Sequence, residues 1–153
     1  MVLIGLAAAA AVVGSGAAAR PTLGLRAHAR LRPVTGTTAE GRFAGVLARN
    51  HEGSTGPAAP RSPSRWHLTW TLRLPSLHRS ASAKLRIGTE GSSKSFVRLL
   101  CRRCAARTKG TITLTESRAL RIAESRAVVV VRARSATLRG VIKATPLPAA
   151  KPD

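Results

Sequence analysis

"RWHLTWTLRL", residues 65–74, decides the fold. Trp66, Leu68, Trp70, Leu72 and Leu74 fall on one side of a period-2 pattern, and His67, Thr69, Thr71 and Arg73 fall on the other. That alternation predicts a strand with one buried face and one wet face. A strand of that kind belongs to an antiparallel sheet that covers a core on one side only.

The same period recurs outward from this stretch. "LGLRAHARLR", residues 23–32, sets Leu23, Leu25, Ala27, Ala29 and Leu31 against Arg26, His28, Arg30 and Arg32. "GRFAGVLA" (41–48), "SAKLRIG" (82–88), "SFVRLL" (95–100) and "GTITL" (110–114) are weaker strands. "AVVVVRA" (127–133) is apolar on both faces, as a central strand is, and "ATLRGVIKA" (136–144) closes the series. Only "TESRALRIAESR" (115–126) has helical spacing, with Leu120 and Ala123 on its apolar side and Glu116 in its first turn. About eight or nine short strands and one helical turn predict an all-β, antiparallel β-sandwich of Greek-key type.

The stretch 49–64 is rich in Gly, Pro and Ser and is expected to be a surface loop, and the tail 146–153 is expected to be disordered. Ahead of the strands, residues 1–19 have the pattern of a secretory signal. An apolar run from Val2 to Val13 is broken by Gly14 and Gly16, and Ala17, Ala18 and Ala19 supply small residues for cleavage. The run is short for a bilayer span, so the expectation is export without a transmembrane anchor, to the cell envelope or beyond it.

Charge is the strongest compositional signal. Lys and Arg number 26 against six Asp and Glu, a formal net charge of +20. Such a surface attracts anionic polymers or cell-envelope components through its summed field. Heavy use of Arg and Ala with little Lys also fits the plain composition of a GC-rich bacterial genome. The alternation places the candidate anion-binding side chains on wet strand faces: Arg26, Arg30 and Arg32, then Arg65 and Arg73, then Lys84 and Arg86. No solvent-facing aromatic interleaves with them, so specific recognition of nucleic acid is not expected.

The order of features in the second half resembles the CHRD family, first named from chordin. Ala83-Lys84-Leu85-Arg86, the pair Cys101 and Cys104, Val128-Val129-Val130-Val131-Arg132 and Leu138-Arg139-Gly140-Val141-Ile142 look like that family's short motifs. "AEGRFAGVL" (39–47) looks like its early strand. The resemblance spans Thr22 to Ala144 and implies one domain over 22–145. It implies a β-sandwich, often secreted, with no established catalytic activity. The sequence departs from the pattern at Lys84, Arg86 and Arg132, where the family tends to carry His.

The two cysteines, Cys101 and Cys104, lie in "LLCRRCAARTKGTITL" (99–114). In an exported chain an even Cys count favours a disulfide. Redox chemistry needs the first Cys of such a pair at a helix N-terminus, and here a turn and a strand follow. Structural zinc needs four ligands, and a second Cys pair is missing. His28, His51, His67 and His78 are scattered, the only Asp is Asp153, and no G-x-S-x-G occurs. The expectation is a non-enzymatic module without cofactor or metal. The competing reading is a metal-binding or redox protein on the same scaffold.

Overall fold

The computed structural model describes residues 24–34, 38–49, 65–75, 81–88 and 95–147. Residues 1–19, expected to be a secretory signal, most of the expected loop 49–64, His51, His78 and residues 148–153 lie outside the described residues.

Nine antiparallel strands and one helix follow in the order β1 (Gly24–Pro33), β2 (Gly41–Arg49), β3 (Arg65–Arg73), β4 (Ala81–Ile87), β5 (Phe96–Cys104), β6 (Arg107–Thr115), α1 (Glu116–Ala123), β7 (Ala127–Arg132), β8 (Thr137–Val141) and β9 (Lys143–Pro146). They form one sheet in the order β5-β4-β7-β8-β1-β2-β3-β6, with β9 also paired to β1. The end strands β5 and β6 are in contact, so the sheet is curled into a nearly closed barrel around one core. The all-β antiparallel class expected from the alternation is the class this chain adopts.

Alternation explains the core directly. Trp66, Leu68, Trp70, Leu72 and Leu74 are all buried, as are Ala83, Leu85 and Ile87. β7 lies between β4 and β8, with Val129 and Val131 buried and Val128 and Val130 half-buried on its other face. Burying these side chains removes apolar surface from water, the main favourable term of folding. No polar or charged residue is buried among the described residues.

β1 joins the two halves of the barrel. One edge pairs with β2 from Gly24 to Leu31. Its other edge pairs first with β9, over Leu25–His28, and then with β8, over Arg32 and Pro33. Gly140 of β8 sits where these pairings change. A Cβ there would lie 2.6 Å from the Arg30 carbonyl oxygen and 2.8 Å from Leu31 Cδ2, so the close approach requires glycine.

The structure differs from the sequence expectations at three places. The last stretch, 136–144, is two strands: β8 ends at Val141 and β9 starts at Lys143 as the chain changes partner from β7 to β1. Between them the buried Ile142 donates its N–H to the Ala127 carbonyl. β9 runs to Pro146 and Leu147 N–H donates to Gly24 O, so ladder structure reaches into the stretch expected to be a disordered tail. On the helix, Ala119 and Ile122 are buried and Leu120 is exposed, one position away from the expected face of Leu120 and Ala123. The helix has four apolar residues, Ala119, Leu120, Ile122 and Ala123, and packing against the strands, including β6 and β9, decides which of them are buried. Ser125, at φ 60°, then turns the chain out of the helix, as Gly or Asn commonly does.

Candidate functional site

The register places a row of four arginines straight across the outer face of the sheet. Arg30 of β1 stands opposite Arg42 of β2. Arg42 stands opposite Arg73 of β3, and Arg73 opposite Arg107 of β6. All four are exposed, because each alternates with buried neighbours or caps the end of a strand. Adjacent strands lie about 4.8 Å apart, so the row spans roughly 14 Å at the backbone. The next row inward pairs Lys143 with His28, and Thr71 with Lys109.

Like charges directly opposite each other on neighbouring strands destabilise a sheet. Only one of the four is compensated: Arg30 Nη2 lies 3.2 Å from Glu40 Oε1. Arg42, Arg73 and Arg107 have no ion pair among the described residues. These three, with Glu40, Pro75 and Ala106, line an open cleft of about 490 Å³ at the end of β3.

The residues expected from sequence divide between two faces. Arg26 and Arg30, with Arg65 and Arg73, lie on the face formed by β9, β1, β2, β3 and β6. Lys84 and Arg86 lie on the other half, on β4, flanked by the exposed Leu99 and Val97 of β5. Arg32 falls at the crossing, opposite Arg139. Arg42 and Arg107 were not among the expected residues. The alternation in "GRFAGVLA" and "RTKGTITLT" already points them outward, but only the register aligns them with Arg73. Arg118 of α1 and Arg126, just beyond its end, have local partners instead: the Arg118 guanidinium lies 3.7 Å from the Phe96 ring centre, and Arg126 Nε lies 3.6 Å from Glu124 Oε2.

Cys101 and Cys104 lie at disulfide distance, with Cα atoms 5.3 Å apart at the end of edge strand β5. Cys104 is buried and Cys101 half-buried, so the pair pins the strand end to the core where the chain turns into β6. Non-reduced peptide mapping of the natively produced protein should recover the two as one bridged peptide, about two mass units below the dithiol. Replacing both with Ala should lower stability by about 2 kcal/mol, the chain-entropy value for a very short loop. Free thiols in that protein would reverse this assignment.

The two described histidines are not brought together. His28 and His67 lie on β1 and β3, in different rows, and His67 Nδ1 lies 3.4 Å from Thr113 Oγ1. Among the described residues no three His, Cys, Asp or Glu side chains are grouped to hold a metal ion. No helix among them is long and apolar enough to cross a membrane.

Fold and face together define an antiparallel all-β protein, nearly closed, with an in-register arginine row on its outer surface. Set against protein-family profiles, curated proteins and solved structures, the chain matches none.

Proposed function

We propose that this chain is an exported, non-enzymatic β-sandwich module of CHRD type that binds anionic polymers of the cell envelope or extracellular space. The observation that carries the reading is the row Arg30, Arg42, Arg73 and Arg107, three of which have no ion pair among the described residues. A row of like charge weakens the sheet that carries it, and an anionic ligand removes that repulsion on binding. The leader pattern of residues 1–19 supports export, and the paired cysteines suit an oxidising compartment. Phe43, Trp66 and Trp70 are buried, so this face offers no stacking platform for bases.

Binding should be blind to sequence and steep in salt. For a duplex that has about five phosphates neutralised, log K should fall with a slope near −4 to −5 against log salt. Titrating heparin, DNA and teichoic acid at several salt concentrations measures this. Weak binding to all three, insensitive to salt, would show the charge to be composition alone.

A further inference from the structure

We infer that the cleft beside Arg42, Arg73 and Arg107 is a defined site for a single linear chain of tetrahedral oxyanions, phosphate or sulfate, lying across the strands. The inference deepens the proposed function and rests on it.

Direction comes first. The three side chains follow one another across β2, β3 and β6, at right angles to the strands and about 5 Å apart. A ligand that engages all three must run the same way and present an anionic group at comparable intervals. Chemistry comes second. Guanidinium presents a planar fork of donors that meets an oxyanion through two parallel hydrogen bonds, which a lysine cannot copy. A tetrahedral group offers outer oxygens in several directions, so one group can engage forks from two neighbouring strands. A carboxylate keeps its acceptors in one plane, so it meets forks from two neighbouring strands less readily.

Polarity of the site comes third. Glu40 neutralises Arg30 at the β1 end and also lines the cleft. Its carboxylate repels an approaching anion there. The opposite end, at Arg107, lies on β6, an end strand of the sheet order, with Lys109 two residues along on the same face. The polyanion therefore enters over β6 and ends at Glu40.

The test compares matched charge removals on the full exported chain. Polyphosphate and heparin are the probes, and they distinguish phosphate from sulfate as the source. Polyglutamate, whose anions are carboxylates, is the competitor. The triple variant Arg42→Gln, Arg73→Gln, Arg107→Gln should lose about tenfold or more in affinity for the preferred probe. Its log–log salt slope should flatten by about 2, at roughly 0.7 per contact for a single strand. The same number of charges removed from the other half of the barrel, by Lys84→Gln, Arg86→Gln and Arg132→Gln, should change either quantity little. Changing the three arginines to Lys should lower affinity and leave the slope in place, because charge stays and the fork goes. Glu40→Gln should raise affinity and steepen the slope, whereas Glu124→Gln, an equally exposed ion-paired acid, should not.

A stability readout separates binding from architecture. The Gln triple should melt at a higher temperature than the parent, since repulsion across the row is relieved. A lower melting temperature would assign the row a structural role and overturn the inference. Equal losses from both triples would also overturn it, leaving diffuse attraction and the proposed function intact. Polyglutamate binding as tightly as both probes would overturn the ligand class. No binding of the parent chain to any polyanion would overturn the proposed function itself.

Discussion

Gly140→Ala is expected to lower the stability of this protein by about 3 kcal/mol or more, a large part of the total for a small domain. The added Cβ would lie 2.6 Å from Arg30 O, 2.8 Å from Leu31 Cδ2 and 3.1 Å from Arg30 C. Two of these three atoms are backbone. They belong to the stretch of β1 that is laddered to β2, from Gly24 to Leu31, so they do not move aside as a side-chain end would. Relief requires β8 to lift away from β1 where the two halves of the barrel meet, which would strain the Arg32–Arg139 and Pro33–Leu138 pairing. Gly140→Val enlarges the same conflict and should leave little folded protein. Val141→Ala is the matched control: it is next in the chain, exposed, and should shift stability by less than about 0.5 kcal/mol. Urea unfolding of the three variants measures the difference. A Gly140→Ala midpoint equal to the parent's would falsify the account of the barrel crossing.

That glycine shows what was legible in the sequence and what was not. It stands inside "LRGVI", where the alternation of Leu138, Gly140 and Ile142 marks the inward face. The pattern shows which way each residue points. It carries no information on which strand passes beneath it. The same division holds for the candidate site. Arg73 points outward by alternation with Leu72 and Leu74, and Arg42 by alternation with Gly41 and Phe43. Their meeting depends on β2 and β3 pairing in the one register that places Phe43 opposite Leu72. Arg107 joins them only because β6, from beyond β4 and β5 in the chain, crosses back to pair with β3.

Edges were the hardest to read. β5 carries exposed Val97 and Leu99 beside Arg98, Arg102 and Arg103, so its outer and inner residues are not separated by polarity. β5 also shifts register against β4 around Ala83, so its period-2 signal changes phase along the strand. The expected stretch 95–100 therefore stopped short of the cysteines, which lie within β5 itself. On the helix, Ala119, Leu120, Ile122 and Ala123 leave a choice of face, and the strands it covers bury Ala119 and Ile122.

Trp70→Ala is expected to cost about 3–5 kcal/mol, the range for removing a large buried aromatic. Trp70 is 4% exposed and stacks against Phe43, with ring centres 6.4 Å apart. Its seat is made by glycines on both neighbouring strands: Gly45 of β2 and Gly110 of β6 each stand opposite it. A Cβ at Gly110 would lie 2.8 Å from Trp70 Cζ2 and 3.1 Å from Cε2, so the indole occupies the space a side chain would fill. Removing the ring leaves a cavity beside two residues that have nothing to fill it with. Trp70→Phe should cost far less, because it keeps an aromatic ring against Phe43 and removes an indole Nε1 that is buried without a hydrogen-bond partner. The shorter ring also vacates the space over Gly110. Gly110→Ala should therefore destabilise the parent clearly and the Trp70→Phe protein much less, a coupling of about 1 kcal/mol or more in a double-mutant cycle. Denaturant unfolding of the four proteins measures that coupling, and the fluorescence of Trp66 follows the transition in all of them. Strictly additive losses would mean that Gly110 is glycine for some reason other than the indole lying across it.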